Sequence, residues 1–238
     1  GTGTMQFNGD ATTTANISGG GTVSVAATKK IVGSVDNTGT AGTGTLTIGA
    51  TGGALTVVSG TVGNTAALAA VNVDNTGGVG SFTGLVKATT ITVTGDNGST
   101  FTGGATATTI NLNNTGTSTF SAATSGAVNF GADGTLVVAA DTAITGSLTA
   151  TTTNNGTFTP GTMTASTTIV SGNIGASGAV LKAVNLTTNN TTTATFGGDI
   201  YATTTTFTGG GTASNFTIGG DVSGTTLALV TNGIINIA

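Results

Sequence analysis

The chain has 238 residues and a formal net charge of −4, with only four basic residues, all Lys, and eight acidic residues, all Asp. It contains no His, Cys or Trp, so a disulfide framework and the usual zinc ligands are excluded. Nucleic-acid binding needs clustered Lys and Arg, and a membrane-spanning helix needs about 20 consecutive apolar residues. The chain offers neither, so we expect no nucleic-acid partner and no membrane insertion by this segment.

Short strands follow one another at nearly constant intervals in the middle of the chain. Apolar–polar–apolar triplets begin at Val71, Ile91, Ile110 and Val128, so a new triplet starts about every 19 residues. Each triplet is typical of a β-strand with one buried face. Clusters of Gly, Asn and Asp between the triplets, such as Gly95–Gly98, indicate turns.

Phenylalanines mark the same interval. The steps between Phe82, Phe101, Phe120, Phe158 and Phe196 equal one, one, two and two periods of about 19 residues. We therefore predict that these five side chains form one interior ladder. Stacked aromatic pairs contribute about 1 kcal/mol each beyond the burial of their area.

A repeat of this length predicts a β-solenoid. Helical repeats need about 33 residues or more, and the abundant Thr, Gly, Val and Asn are weak helix formers. We predict an all-β fold, a right-handed parallel β-helix of about 19 residues per coil and about 12 coils, with strands about 4.8 Å apart. An antiparallel β-sandwich, with turns about every 8–12 residues, is the alternative, but it does not require a constant Phe spacing.

A longer repeat relates the two halves of the chain. Gly21–Ala27 is similar to Gly134–Ala140, and six coils of about 19 residues would separate two such segments. We therefore predict a single domain over residues 1–238, built from two six-coil units of roughly 113 residues each. These units are placed at about 21–133 and 134–238, and residues 1–20 are the end of a preceding unit. Nearly the same offset relates Gly33–Val35 to Gly146–Leu148, Val58–Gly63 to Val170–Gly175 and Ala88–Thr90 to Ala202–Thr204.

Residues that could carry chemistry are few. Asp133 and Asp141 are the acidic pair closest in sequence, but both lie among turn residues, which favours turn capping over catalysis. A Ser nucleophile has no His base; a Ser–Lys pairing stays open, although no Ser lies in a motif. Gly131–Gly134 is only a fragment of a calcium-binding nonapeptide and does not repeat in tandem. We therefore predict no enzyme activity, no catalytic residue, no cofactor site and no metal site.

Threonine-rich solenoids suggest a further class of function, the binding of ice through Thr-x-Thr pairs repeated in every coil. Here the position of Thr92 becomes Asn111 and then Asn129 in the following coils, so the array is interrupted. Ice binding and polysaccharide binding therefore stay as lesser alternatives.

The sequence also resembles a known family in style. Gly126–Leu136, and Val170–Gly175 followed by Ala179–Asn185, resemble rickettsial outer-membrane proteins A and B. These are autotransporters whose secreted passenger is predicted to be a long β-helix. The resemblance implies an extracellular passenger segment on the bacterial surface that acts in adhesion or shielding, with a membrane barrel elsewhere in the full protein. It marks no functional residue.

A second class of function uses the same rod, namely a subunit of an S-layer or extracellular fibre. The expected partners are neighbouring solenoid coils of the same polypeptide or like chains stacked end to end. If the chain is an adhesin, a host-cell surface is a further partner.

Overall fold

The computed structural model describes residues 1–49 and 55–238, and it is an all-β solenoid. Every pairing between its strands is parallel, and the strands stack in about 11 turns of roughly 20 residues. Thr, Val and Ile favour such pleated, half-buried strands. Along most strands, buried inward residues alternate with partly exposed outward ones, as in Thr135–Val138.

The described residues form 26 short strands. They are β1 (Thr4–Phe7), β2 (Ala15–Ile17), β3 (Thr22–Val25), β4 (Lys30–Ile31), β5 (Val35–Asn37), β6 (Thr43–Gly49), β7 (Leu55–Val58), β8 (Leu68–Asp74), β9 (Val79–Phe82), β10 (Val86–Gly95), β11 (Ser99–Phe101), β12 (Ala105–Asn114), β13 (Thr117–Phe120), β14 (Thr124–Phe130), β15 (Thr135–Val138), β16 (Ile144–Thr145), β17 (Leu148–Ala150), β18 (Thr157–Pro160), β19 (Thr167–Val170), β20 (Leu181–Thr188), β21 (Thr193–Phe196), β22 (Ile200–Gly209), β23 (Asn215–Ile218), β24 (Val222–Ser223), β25 (Thr226–Leu229) and β26 (Ile234–Ile237).

Three ladders of paired residues run along the rod and define three faces, here called A, B and C. The face A ladder is Met5, Val23, Leu46, Val71, Ile91, Ile110, Val128, Leu148, Ile174, Ile200 and Val222. The face B ladder is Ala11, Ile31, Val58, Phe82, Phe101, Phe120, Val138 and Pro160. Within β18 the ladder then shifts by two residues, from Pro160 to Phe158. From there it runs through Val184, Thr205 and Leu227. The face C ladder is Ala15, Val35, Val62, Val86, Ala105, Thr124, Ile144, Val170, Phe196, Ile218 and Ile237.

Faces A and C are joined in the middle of the rod. There β10, β12 and β14 each cover both faces, with face C residues first and face A residues after them. Beyond β14 the two faces separate, because β16 pairs with its first half and β17 with its second half. The inward side chains of all three faces pack into one continuous apolar core.

The short period of the sequence holds in the middle coils but not along the whole rod. There Ser99 is hydrogen-bonded to Ser118 in the next coil, 19 residues later. Nearer the start of the rod, Gly33 bonds in the same way to Ser59, 26 residues later. In the second half, Asp199 bonds to Asn173 and follows it by 26 residues. The longer coils carry their extra residues in the corners, so the chain makes about 11 coils rather than the expected 12.

Equivalent positions of the long repeat share the same local geometry. Thr28 and Asp141, which the repeat makes equivalent, both have positive φ angles, of 68° and 55°. Gly33 and Gly146 have φ angles of 154° and 152°. Each of these two glycines also donates its N–H to a Ser Oγ in the next coil, at 3.1 and 3.0 Å.

The equivalent strands nevertheless lie on different faces of the rod. Val23 is on face A, but its equivalent Leu136 is on face B. In the same way Ile31 on face B corresponds to Ile144 on face C. Five complete coils and one additional face separate Val23 from Leu136, because several coils of the first half are longer than those in the middle. The unit that the sequence predicts as six coils therefore spans five and one-third coils, and each copy is rotated by one face.

Candidate functional site

Three of the five phenylalanines of the expected ladder stack directly. Phe82 and Phe101 have ring centroids 5.0 Å apart and an interplanar angle of 8°, and Phe101 and Phe120 have centroids 4.7 Å apart and an angle of 7°. All three are fully buried on face B. The stack ends at Phe120, because the residue paired with it in the next coil is Val138.

The other two phenylalanines lie elsewhere in the core. Phe158 is on face B but pairs with Leu136, two residues from the column that contains Phe120. Phe196 is on face C, where it pairs with Val170. In this half of the chain, two periods of about 19 residues no longer span two coils, because equivalent residues of adjacent coils are up to 26 residues apart. The expected single ladder is thus a three-ring stack and two separate core residues.

Two phenylalanines that the spacing does not mark also make a ring contact. Phe207 and Phe216 meet edge to face, with centroids 4.9 Å apart and an angle of 69°. They lie on different faces, since Phe207 belongs to β22 and Phe216 to β23. The sequence gives no periodic signal for such a contact across the core.

Asp133 and Asp141 bind different neighbours. Asp133 pairs with Lys182 at 2.6 Å, and both side chains are about half exposed. Asp141 accepts hydrogen bonds from the backbone N–H groups of Thr164 and Ala165, each at 2.9 Å, and from the Thr164 hydroxyl. The Thr164 hydroxyl and the Ala165 N–H are the main causes that hold the pKa of Asp141 below its ordinary value. A general acid needs a raised pKa instead. The Asp141 carboxylate joins its own coil to Thr164 and Ala165 of the next coil, and we call such a contact a clip.

Asp36 forms a second clip. Burial alone would raise its pKa, but hydrogen bonds from the Thr65 hydroxyl and from the N–H groups of Thr65, Asn37 and Asn64 outweigh burial and lower the pKa. Thr65 lies 29 residues further along the chain, in the next coil. The carboxylate therefore ties one corner to the following one.

Asp199 organises a polar corner with the only tyrosine of the chain. The Tyr201 hydroxyl donates to Asp199 Oδ2 at 3.1 Å, and the backbone N–H of Asp221 donates to Asp199 Oδ1 at 2.9 Å. The hydrogen bond to Asp199 and its negative charge raise the pKa of Tyr201. The phenol is therefore held in its neutral, donating form.

Among residues 1–49 and 55–238, no three His, Cys, Asp or Glu side chains are grouped so that they could hold a metal ion. In the same described ranges, no helix is long and apolar enough to cross a membrane.

The outward side of the strands carries a polar surface that we call the outer strip. It consists of two columns of side chains, two residues apart along each strand, that occur on face A and again at the equivalent positions of face B. On face A the columns are Thr4, Thr22, Thr45, Ala70, Thr90, Thr109 and Gln6, Ser24, Thr47, Asn72, Thr92, Asn111. On face B they are Thr117, Thr135, Thr157, Ala183, Thr204, Thr226 and Thr119, Val137, Thr159, Asn185, Thr206, Ala228.

The outer strip is more similar between the two copies than the core beneath it. The first column is identical at all six positions and the second at three, so nine of 12 outward residues are the same. Of the 12 inward residues on the same strands, four are identical: Phe7 with Phe120, Val25 with Val138, Val71 with Val184 and Leu112 with Leu229. Cores tolerate exchange among apolar residues, and packing does not require outward residues to be kept.

The second column is not a uniform threonine array. On face A it runs through Thr47, Asn72, Thr92, Asn111 and Asn129. The Asn129 amide donates to Asn111 Oδ1 at 3.5 Å, and the Thr149 hydroxyl donates to Asn129 Oδ1 at 3.2 Å. The outward groups are therefore partly hydrogen-bonded to one another.

No family model, no curated protein and no solved structure matches the chain.

Proposed function

We propose that this chain is a structural segment of a long bacterial surface protein, an autotransporter passenger that acts in adhesion or surface shielding. The observation that supports the proposal is the outer strip, whose residues are mostly identical in the two copies, whereas most of the core residues beneath it differ between the copies. A surface that is kept without a packing requirement is a candidate for contact with something outside the molecule. The resemblance to rickettsial outer-membrane proteins A and B agrees with this role.

The shape of the rod suits such a segment. About eleven coils at about 4.8 Å give a length on the order of 50 Å, and each coil touches only its neighbours. Such a rod holds a surface at a distance from its attachment point. The outer strip bears no charge on either face, so it is suited to an uncharged polar partner rather than to an ionic one.

Surface display can be tested on intact bacteria that express the full gene. An antibody raised against this segment should label unpermeabilised cells, and brief external protease should remove the label while a cytoplasmic marker stays intact. Labelling that appears only after permeabilisation would contradict the proposal.

Adhesion can be tested with beads that carry the purified chain. We expect the beads to bind cultured epithelial cells, and binding should fall when the outer strip is changed by Thr47→Lys and Thr159→Lys together. The matched control is Thr195→Lys and Thr217→Lys, two outward residues paired on face C. Equal loss in both variants would mean that the strip has no special role.

A subunit of an S-layer or extracellular fibre is the second candidate. The parallel pairing of each coil with the next along one axis is compatible with it. A downstream membrane barrel in the same reading frame would support the passenger, whereas an ordered lattice formed by the purified chain would support the fibre.

We further propose that the segment catalyses no reaction. Purified chain should turn over no polysaccharide, peptide or phosphoester substrate. Activity that co-purifies with the chain and disappears in Asp133→Asn or Asp141→Asn would overturn this proposal.

A further inference from the structure

Three successive coils in the middle of each repeat have the same outward side chains. We call these two groups the face A site and the face B site. The face A site is Thr45, Thr47, Ala70, Asn72, Thr90 and Thr92, and the face B site is Thr157, Thr159, Ala183, Asn185, Thr204 and Thr206. All six outward residues are identical, whereas the six inward residues of the same strands agree only at Val71 and Val184. Both sites have further coils on each side along the rod.

Each site has a shallow depression at its centre. Ala70 pairs with Thr45 in the preceding coil and with Thr90 in the following one. Because Ala has no atoms beyond Cβ, the outward surface dips between two threonine rows that are about 10 Å apart. Asn72 lies two residues further along the same strand, where its side chain is exposed. The depression therefore has a methyl group as its floor, hydroxyl groups on both sides and an amide at one end.

Most polar groups of the two sites are free to bind something else. In the described part of the chain, the one hydrogen bond that these side chains make joins the Asn185 amide to the Thr159 hydroxyl, at 3.2 Å. A threonine hydroxyl and an asparagine amide each donate and accept hydrogen bonds. The sites therefore offer both kinds of group to a ligand.

The charges that flank the two sites differ. Asp74 lies beside the face A site on its central strand, and Thr187 takes that place beside the face B site. On the other flank, Lys182 of the face B site corresponds to Ala69 of the face A site. The part that the two sites share is uncharged, which favours a neutral ligand over an ionic one.

The shared residues also argue against two other occupants. Protein interfaces are enriched in aromatic residues, Met and Arg, and neither site contains any of them. A crystal plane of ice would require the same pair of groups in every coil, but the Thr pairs here are separated by Ala70 with Asn72. The interruption is the same in both copies, so it belongs to what the sites recognise.

We propose that each site binds a neutral, unbranched, β-1,4-linked glycan that lies along the rod with one sugar ring in the depression. This inference rests on the proposed adhesive role of the outer strip and names its ligand class. The coil spacing of about 4.8 Å is close to the length of one sugar unit in such an extended chain, so successive rings lie over successive coils. The C–H groups of the central ring pack on the Ala70 methyl group, and sugar hydroxyls bind the threonine hydroxyls and the Asn72 amide. Since each neutral hydrogen bond contributes little in water, we expect a dissociation constant of about 1 mM.

The test titrates the purified chain with cellohexaose, and with maltohexaose as the matched sugar. Both are glucose chains of the same length, but the β-1,4 chain is extended and the α-1,4 chain coils. Amide and methyl NMR spectra locate the binding on the protein. Cellohexaose should shift the signals of Ala70 and Ala183, and maltohexaose should bind more weakly by about tenfold or more.

A variant then separates the two sites. Ala70→Val fills the depression on face A with a side chain that strands favour, so the fold should persist, which β-type circular dichroism checks. The affinity measured from face A signals should fall by about tenfold or more, whereas the Ala183 signals should respond as in wild type. Ser81→Val is the control, because Ser81 points outward on face B and lies outside both sites. It should change neither affinity.

Four results would overturn the inference. They are equal binding of the two sugars, shifts spread equally over faces A, B and C, unchanged affinity in Ala70→Val, and no binding at the highest soluble concentration of cellohexaose. If cellohexaose fails but beads still adhere to cells through the outer strip, the ligand is not this glycan and the adhesive role stands. If cellohexaose binds and the beads adhere to no cells, the adhesive role fails and the glycan site stands.

Discussion

At the scale of single residues, the stacked rings of face B give the clearest prediction. Phe101 is fully buried between Phe82 and Phe120, so Phe101→Asp places a carboxylate between two apolar rings inside the core. The free energy of unfolding should fall by about 4 kcal/mol or more. Urea denaturation measures it, with Thr100→Asp as the control, because Thr100 points outward from the same strand. A loss of similar size in the control would contradict the inward stack.

The clips formed by carboxylates predict a dependence on acid pH. The pKa of Asp141 and that of Asp36 are lowered by hydrogen bonds in the folded chain. Their stabilising contribution is therefore present above the unfolded pKa of about 3.9 and is lost as the pH falls through the lower, folded pKa. Asp141→Asn should lower the thermal midpoint at pH 7, and the difference from wild type should shrink as the pH falls below that unfolded value.

A second variant separates this effect from a general one. Thr164→Val removes the hydroxyl that donates to Asp141 but keeps a β-branched side chain. It should shift the thermal midpoint in the same direction and with the same dependence on pH. If the effect of Asp141→Asn is constant from pH 7 to pH 2, the clip is not the cause.

At the scale of strands and corners, close approach between coils explains particular glycines. A Cβ atom on Gly98 would overlap the carbonyl group of Thr117 in the next coil. Gly98→Ala should therefore push the two coils apart and lower the free energy of unfolding by about 1–3 kcal/mol. Gly9→Ala is the control, since nothing lies within 4 Å of its Cβ position, and chemical denaturation compares the two. Equal effects would mean that general loss of chain flexibility, rather than contact, is measured.

The corners also determine how much of this fold the sequence predicts. Inward and outward positions follow from the period of two along each strand, and the stack of Phe82, Phe101 and Phe120 follows from two successive coils of equal length. The neighbours of Phe158 and Phe196 do not follow, because corners of different length separate the coils there. Corner length depends on backbone bonds and clips such as Asp141 with Thr164, which a hydrophobic pattern does not encode. The sequence likewise does not show that the two copies of the outer strip lie on different faces, because that depends on the lengths of the coils between them.

At the scale of the whole molecule, the long repeat predicts that a large deletion is tolerated. Removing residues 21–133 joins Gly20 to Gly134 and places β15 where β3 lies on face A. The shortened chain should keep β-type circular dichroism and unfold cooperatively at a lower midpoint, because each coil depends on its neighbours alone. Removing residues 21–138 is the matched control. It also deletes β15 and leaves one coil without that strand, so cooperative unfolding should be lost. Identical behaviour of the two deletions would contradict the equivalence of the repeats.

The extra third of a coil in each repeat bears on how a gene of this kind can change in length. Recombination between two misaligned gene copies, in which the codon of Gly21 in one pairs with the codon of Gly134 in the other, adds or removes one repeat. Such an event moves every downstream strand to the next face of the rod, and it is harmless only if all three faces can accept the same segment. The present chain meets that condition for two of the three faces, since Val23 lies on face A and its equivalent Leu136 lies on face B. Length variants would then differ in the direction in which the outer strip points, and a third repeat would present it on the one face that lacks it.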